Sequence, residues 1–300
     1  MLTAESLRGV FPALVTPFDT QGEVDETALR RLVARLLDAG VHGLVPIGGT
    51  GEYAALSPRE RRLVVETVAD AARGRVPVIA GVLAPGFEDA REAAWDFAAA
   101  GADALMLITP FYATGTQDGI AAYVRRFRDV CERPVVLYEI PGRTNVALQA
   151  ETVARLAADG TIIGMKYSSY DVAQFIRVVA HAGDKIAILS GEEPLFATHL
   201  AIGARGGVLT TANLLPERWL AIFEDATRGN LRAALAKQAA LDPLIRAAFA
   251  ETNPGPLKFL MQEAGQPCGK PRLPLLPPAE AVQGALRYAL SQIRQSAAAA

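Results

Sequence analysis

One lysine is a candidate nucleophile because it ends an apolar run. Lys166 follows Ile162-Ile163-Gly164-Met165, a short segment whose composition predicts a buried strand. An ammonium group at such a position loses hydration, which favours the neutral amine. A neutral lysine amine can attack a ketone and form a Schiff base. The alternative is a lysine at the rim of the fold, with its charged end in solvent.

A tyrosine at the end of the preceding apolar run is the candidate proton carrier. Tyr138 ends the run Pro134–Tyr138, which comes directly before the run of Lys166. If the two runs are neighbouring strands, the phenol and the amine converge on one point. A phenol there can relay protons while an iminium forms. The alternative is an aromatic side chain that packs the top of the fold.

A glycine-rich loop and an arginine are candidate carboxylate ligands. The loop Gly48-Gly49-Thr50-Gly51-Glu52 lacks the Lys-Ser/Thr ending of a P-loop and is not a dinucleotide fingerprint. Its glycines allow close backbone approach and present consecutive N–H groups, which suit a small anion. Thr50 adds a hydroxyl, and the Arg143 guanidinium suits bidentate carboxylate binding. The alternatives are a tight structural turn and a solvent-exposed arginine.

Other polar residues after apolar runs are candidate specificity determinants. Glu192 and Glu193 can accept hydrogen bonds from substrate hydroxyls, although such a pair also fits a solvated face. We expect substrate selectivity to depend on what Glu139, Arg143, Glu193 and Thr210 contact.

The elements that position these residues repeat one pattern of apolar run, loop and longer helical segment. Eight runs predict strands: Val10–Val15, Val41–Ile47, Val76–Gly81, Ala104–Ile108, Pro134–Tyr138, Ile162–Lys166, Lys185–Leu189 and Gly206–Leu209. Strands that alternate with helices form right-handed β-α-β units. Eight units predict a (β/α)8 TIM barrel with extra C-terminal helices, and the alternative is an open doubly wound sheet. We expect the barrel and active site in residues 1–229 and a helical extension packed on it in residues 230–300.

Composition excludes several partner classes. The 300 residues include 30 basic and 32 acidic side chains, so the chain lacks the positive surplus of a nucleic-acid-binding protein. No apolar run is long enough for a membrane span. Two cysteines and three histidines show no disulfide or metal-ligand pattern. We therefore expect a cytoplasmic enzyme without a metal, a nucleic-acid partner or a membrane partner.

Several ordered motifs resemble one enzyme family, the dihydrodipicolinate synthase/N-acetylneuraminate lyase family. The motifs are Gly48–Glu52, Thr109-Pro110-Phe111-Tyr112, Tyr138 with Pro141 and Arg143-Thr144, Gly164-Met165-Lys166, and Asn253-Pro254 with Lys258. The resemblance implies a homotetramer, arranged as a dimer of dimers, of (β/α)8 class I aldolases that use no metal or organic cofactor.

The resemblance also implies roles for individual residues. Lys166 corresponds to the Schiff-base lysine and Tyr138 to the phenol that shuttles protons. Thr50, with the backbone of Gly49 and Gly51, corresponds to the site that holds the carboxylate of a keto acid.

Four further positions match the family. Tyr112 would reach across a dimer interface toward the neighbouring active site. Arg143 matches the arginine that synthases use near the carboxylate of the second substrate. Gly191 and Val208 match barrel-interior positions around bound pyruvate.

The chain departs from the family synthases at two of these places. A hydroxyl residue usually precedes the threonine and completes a proton relay, but this chain has Gly49 there, so the relay is broken or runs through water. This loop is more similar to that of the sugar-acid dehydratases of the family. Glu139 replaces the asparagine that is common after the tyrosine, whereas Arg143 is similar to the synthases.

These observations lead to one principal hypothesis and three alternatives. The principal hypothesis is a Schiff-base lyase that acts on pyruvate or a pyruvate-derived 2-keto sugar acid, by aldol cleavage, condensation or dehydration. The first alternative is 4-hydroxy-tetrahydrodipicolinate synthase, which joins pyruvate to aspartate semialdehyde. The second is a non-catalytic barrel that binds a keto acid. A phosphate-binding barrel is disfavoured because the glycine-rich segment 203–207 precedes its strand rather than following it.

Overall fold

Parallel strands form the centre of the molecule, for which a computed structural model describes residues 2–298. Seven strands lie within those residues: β1 (Gly9–Pro12), β2 (Ile79–Val82), β3 (Ala104–Ile108), β4 (Val135–Glu139), β5 (Gly164–Tyr167), β6 (Ala187–Ser190) and β7 (Gly206–Leu209). Their order in the sheet is β1-β7-β6-β5-β4-β3-β2, and every neighbouring pair is parallel. The first strand therefore pairs with the last, as in a curled sheet.

The segment predicted as the second strand, Val41–Ile47, bridges the two ends of this sheet without being a regular strand. Leu44 forms an isolated parallel bridge with Val78, and Val45 forms one with Ala13. Three prolines in or beside this region have no N–H to donate: Pro12, Pro46 and Pro77. The segment still exchanges six backbone hydrogen bonds with its neighbours, three with residues 10–14 and three with residues 77–81, so it closes the ring without being a regular strand. The predicted (β/α)8 barrel is confirmed, and the prediction of eight regular strands is wrong at this segment.

Alternate residues of each strand face the barrel interior. In β4, Val136 and Tyr138 belong to an interior apolar cluster, whereas Leu137 packs in the layer between strands and helices. Tyr138 is in register with Lys166 of β5. Because neighbouring residues in register point to the same face, Lys166 also projects inward.

Helices surround the strands and continue beyond them. They are α1 (Glu26–Ala39), α2 (Pro58–Ala72), α3 (Phe87–Ala99), α4 (Gln117–Val130), α5 (Pro141–Thr144), α6 (Ala150–Ala158), α7 (Val172–Ala182), α8 (Phe196–Ile202), α9 (Pro216–Thr227), α10 (Leu231–Ala248), α11 (Gly255–Glu263) and α12 (Glu280–Ala298). Ser57 and Glu60 form a capping box at the start of α2, and the Asp25 carboxylate accepts a hydrogen bond from Ala28 N at the start of α1. Within residues 2–298, no helix has both the length and the apolar composition needed to cross a membrane.

The C-terminal helices share one apolar core with the barrel helices. Leu241 of α10, Leu257 of α11 and Leu290 of α12 belong to the same buried cluster as Leu32 of α1. The division into residues 1–229 and 230–300 remains a proposal, and residues 1, 299 and 300 of those segments lie outside the described part of the chain.

Candidate active site

The predicted nucleophile and proton carrier lie side by side inside the barrel. Lys166 Nζ is 4.1 Å from the centroid of the Tyr138 ring. Lys166 is 8% exposed and Tyr138 is 6% exposed, so both side chains are almost withdrawn from solvent. The structure brings these two residues together as the sequence predicts. A phenol ring packed against an amine places a proton carrier beside the point where an iminium would form.

Gly191 forms the wall of the site beside the lysine. A Cβ atom at Gly191 would lie 1.9 Å from Ser168 Oγ and 3.0 Å from both Ser168 Cβ and Lys166 Cε. The Gly191 N–H donates to the Tyr167 carbonyl oxygen over 2.7 Å, which limits how far the backbone can move away. Only glycine therefore fits between the two side chains. Ser168 Oγ is buried and has no hydrogen-bond partner among the described residues.

Replacing Gly191 with alanine is expected to displace Lys166 and lower kcat/KM about 100-fold, because misplacement of a reacting group by about 1 Å costs that much. Steady-state kinetics of Gly191→Ala measures the effect. Gly142→Ala is the matched control, since a Cβ there meets no atom within 4 Å. The double variant Gly191→Ala/Ser168→Gly should recover activity. Wild-type kcat/KM in Gly191→Ala would contradict the prediction.

The hydroxyl of Thr50 lies in a buried polar cluster at the end of the 41–47 segment. Thr50 Oγ1 is 3.1 Å from Thr210 Oγ1 and accepts a hydrogen bond of 2.8 Å from Asn253 Nδ2. Gly49 is exposed, and a Cβ there would meet no atom within 4 Å. The backbone beside Thr50 is therefore open to a ligand. At Gly51, by contrast, a Cβ would lie 2.7 Å from Ile47 N, so glycine is required.

Glu52 fixes the far end of this loop in the protein interior. Its Oε1 lies 2.7 Å from Lys258 Nζ, and both side chains are 1% exposed. Its Oε2 accepts a hydrogen bond of 2.7 Å from Arg272 N. Burial lowers the pKa of Lys258, and the Glu52 carboxylate opposes that effect. A buried pair with these additional hydrogen bonds holds the loop to the C-terminal helices.

Arg143 and Val208 lie at different depths of the site. Arg143 is exposed and lines a cavity of about 290 Å³, which also reaches Gly49, Ile108 and Asn253. Ile108 is in register with Tyr138, so this cavity adjoins the lumen. Val208 is buried in the apolar cluster of the lumen.

Tyr112 is the candidate that the structure keeps outside this cavity. Its side chain is 99% exposed, and its backbone has φ 69°. A bulky residue seldom adopts that conformation. Within one copy of the chain, Tyr112 is therefore presented to solvent.

The two glutamates after β6 have different environments. Both carboxylate oxygens of Glu193 accept hydrogen bonds of 2.7 Å from Thr211, one from N and one from Oγ1. Burial raises the pKa of Glu193 to about 7. Burial also raises the pKa of Glu192, and the nearby Lys166 charge opposes that change. Glu192 is therefore the glutamate whose charge acts on the lysine, whereas the predicted ligand Glu193 is engaged within the fold.

Two residues at this site have no predicted role. Asn253 belongs to a motif without an assigned function, and its contact with Thr50 spans 203 residues of chain. Ser168 is absent from the predicted site, although a polar residue two positions after Lys166 on the same strand side is a usable signal. Across residues 2–298, no group of three histidine, cysteine or acidic side chains is arranged to hold a metal ion.

Glu139 follows Tyr138 but faces the opposite side of the sheet. Its Oε1 accepts a hydrogen bond of 2.7 Å from Leu148 N, while its Oε2 is buried without a partner among the described residues. Burial raises the pKa of Glu139 to about 7, and the charge of Asp171 adds to the increase.

Glu139 is expected to make the fold less stable as pH rises from about 4.5 to about 7. The folded state holds its proton over that range, whereas the unfolded state has released it. Glu139→Gln keeps an acceptor for Leu148 N but has no proton to release, so we expect its effect on the free energy of unfolding to be about 3 kcal/mol more favourable at pH 8 than at pH 4. Urea denaturation at both pH values measures this difference. An equal effect of the substitution at the two pH values would contradict the prediction.

A lysine and a tyrosine at adjacent strand ends inside a (β/α)8 barrel define a class I aldolase-type lyase, and comparisons with known proteins give the family. The family model for the dihydrodipicolinate synthetase family matches residues 6–293. The 4-hydroxy-tetrahydrodipicolinate synthase of Anaeromyxobacter dehalogenans is 40% identical over 285 residues, which cover 95% of this chain and 96% of that relative. The chain belongs to the dihydrodipicolinate synthetase family.

Solved structures give the same result. A dihydrodipicolinate synthase from Acinetobacter baumannii, complexed with pyruvate, superposes with a TM-score of 0.92 at 32% identity, over 95% of this chain and 98% of that chain. A monomeric dihydrodipicolinate synthase variant superposes with a TM-score of 0.93 at 31% identity, over 96% of this chain and 97% of that chain. The architecture of the family thus extends over nearly the whole molecule.

Proposed function

We propose that Lys166 forms a Schiff base with the ketone of pyruvate or a pyruvate-derived 2-keto acid, and that the enzyme makes or breaks an aldol bond at that adduct. The observation that carries this proposal is the buried Lys166 amine 4.1 Å from the Tyr138 ring centroid, in a position where a side chain at Gly191 would collide with it. Proteins seldom bury a lysine without a partner or a function.

The neighbouring groups support each step of such a reaction. The Lys166 amine attacks the ketone carbon, and the resulting carbinolamine loses water to give the iminium. The Tyr138 phenol passes protons to the departing oxygen and from the adjacent carbon, which yields an enamine. The enamine carbon adds to the carbonyl of an aldehyde, and hydrolysis releases the product and the lysine. Cleavage follows the same steps in reverse.

The loop after the 41–47 segment would hold the carboxylate of the keto acid. Thr50 supplies a hydroxyl, and the backbone of Gly49, which is open, and of Gly51, which is packed beside it, would supply N–H groups. Val208 forms part of the apolar wall, and Thr210 is hydrogen-bonded to Thr50. Arg143 lies at the cavity mouth, where its guanidinium would meet a second, charged substrate.

Borohydride reduction in the presence of pyruvate tests the proposal. A Schiff base becomes a stable secondary amine, so mass spectrometry should show a reduced pyruvyl adduct on the peptide that contains Lys166. Protein treated with borohydride alone is the control. Absence of the adduct at saturating pyruvate, or an adduct on another lysine, would disprove the proposal.

A second candidate is the specific condensation of pyruvate with aspartate semialdehyde. Arg143 in the cavity and the names of the curated relatives favour it. Gly49 requires that water replace the usual hydroxyl of the proton relay. Assays of pyruvate with aspartate semialdehyde and with a panel of other aldehydes and sugar acids distinguish this reaction from other aldol reactions and from dehydration.

We also propose a homotetramer in which Tyr112 approaches the active site of a neighbouring subunit. The support is the family resemblance together with a tyrosine that one copy of the chain leaves almost wholly exposed. Sedimentation velocity measures the oligomeric state, and a monomer in solution would contradict the proposed homotetramer. The solved monomeric variant of a dihydrodipicolinate synthase shows that such an outcome occurs among similar proteins. A cytoplasmic location is proposed because both cysteines are buried as free thiols.

A further inference from the structure

Asn253 contacts Thr50, although the two residues are far apart in the sequence. It lies just before helix α11, and its Nδ2 donates to Thr50 Oγ1 over 2.8 Å. Among the described residues, this is the one hydrogen bond of the Asn253 side chain, and its Oδ1 is buried without a partner. The amide therefore contributes little to the rest of the fold.

The polarity of this contact determines what the Thr50 hydroxyl can offer a ligand. A hydroxyl has one proton and two acceptor lone pairs, whereas an amide NH2 group can only donate. Because Asn253 Nδ2 occupies a lone pair of Thr50 Oγ1, the hydroxyl proton must point elsewhere. Its other neighbour is Thr210 Oγ1, a more distant partner at 3.1 Å.

We propose that Asn253 is a positioning residue that holds Thr50 as a hydrogen-bond donor to the carboxylate of the keto acid. A carboxylate accepts hydrogen bonds and donates none. A chain from the amide N–H through the hydroxyl to an anion strengthens each bond, since each one polarises the next. This inference rests on the proposed role of Thr50 in carboxylate binding.

A second contact keeps the amide in place. Lys258, five residues after Asn253, forms the buried ion pair with Glu52, two residues after Thr50. The start of helix α11 and the glycine-rich loop are thus joined at two points. This double attachment fixes the distance between the amide and the hydroxyl, so Asn253 is pre-organised before a ligand arrives.

Two variants at this position separate polarity from packing. Asn253→Ala removes the donor, and we expect the pyruvate concentration that gives half-maximal borohydride trapping to rise about tenfold. Asn253→Asp keeps the shape but cannot donate, and its charge repels a carboxylate, so we expect a rise of about 100-fold. Asn230→Ala is the control, because Asn230 is an exposed asparagine just before α10 whose side chain makes no capping hydrogen bond. Maximal trapping at saturating pyruvate should change less than twofold.

A substrate without the carboxylate charge completes the test. With methyl pyruvate, we expect wild type and Asn253→Ala to reach half-maximal trapping within a factor of two of each other. An equal loss for pyruvate and methyl pyruvate, or a change below twofold for pyruvate in both variants, would overturn the role of Asn253. If wild-type protein is not trapped at all, the proposed function fails instead.

Discussion

Turnover is expected to disappear when Lys166 is replaced by methionine. The substitution removes the amine that would form the covalent intermediate, and we expect kcat to fall by at least about 1000-fold. Methionine has a similar length and adapts to an apolar site. The side chain lies in the apolar lumen beside Tyr138, so the fold should keep or gain stability when the amine is removed.

The measurement is steady-state turnover together with a thermal unfolding curve of the same preparation. Lys185→Met is the matched control, because Lys185 is exposed just before β6 and faces no site residue. It should retain wild-type kcat and become labelled by borohydride and pyruvate at Lys166. Residual turnover above a few percent in a folded Lys166→Met variant would exclude a Schiff base at this lysine.

The second large effect is expected at the phenol. Tyr138→Phe should lower kcat about 100- to 1000-fold, which is the range for losing a positioned proton carrier. Phenylalanine keeps the ring and hence the 4.1 Å contact with Lys166 Nζ, so the change isolates the hydroxyl. Trapping with borohydride should still occur at Lys166 but develop more slowly, because the nucleophile is intact.

Tyr167→Phe provides the comparison for this result. Tyr167 follows Lys166 in β5 but packs outside the lumen, where its phenol donates to the Asp171 carbonyl oxygen over 2.8 Å. Its loss should reduce stability by about 1 kcal/mol and leave kcat within a few-fold of wild type. Equal kinetic losses in the two phenylalanine variants would show that the Tyr138 hydroxyl has no special role.

Local pattern was sufficient to predict the barrel and its central pair. Buried parallel strands are short uninterrupted apolar runs, and polar residues that end such runs meet at one face of a barrel. Lys166 and Tyr138 were identified in this way, and strand register now explains their proximity. At Val41–Ile47 the predicted pairing with both neighbours is present but the strand is not regular, because Pro46 lies within the segment and Ile47 has φ 50°.

Local sequence patterns do not indicate contacts between residues that are far apart in the chain. Nothing near Asn253 in sequence indicates that it meets Thr50, and nothing near Lys258 indicates that it meets Glu52. The sequence also gives no reason to assign Glu192 and Glu193 different environments. The backbone turns Glu193 toward Thr211, whereas it leaves Glu192 close enough to Lys166 for their charges to interact. Side-chain direction in a loop depends on tertiary packing that a single sequence does not display.

The pairing of the 41–47 segment has a consequence for which part of the site can adjust. Backbone hydrogen bonds join this segment to residues on both of its sides, so the ring is closed here as it is between the other strands. The glycine-rich loop leaves the barrel directly from this segment, and the buried Glu52–Lys258 ion pair fastens the other end of the loop. Adjustment to a ligand is therefore expected in the few residues around the exposed Gly49, while strands β4 and β5 hold the reacting pair still.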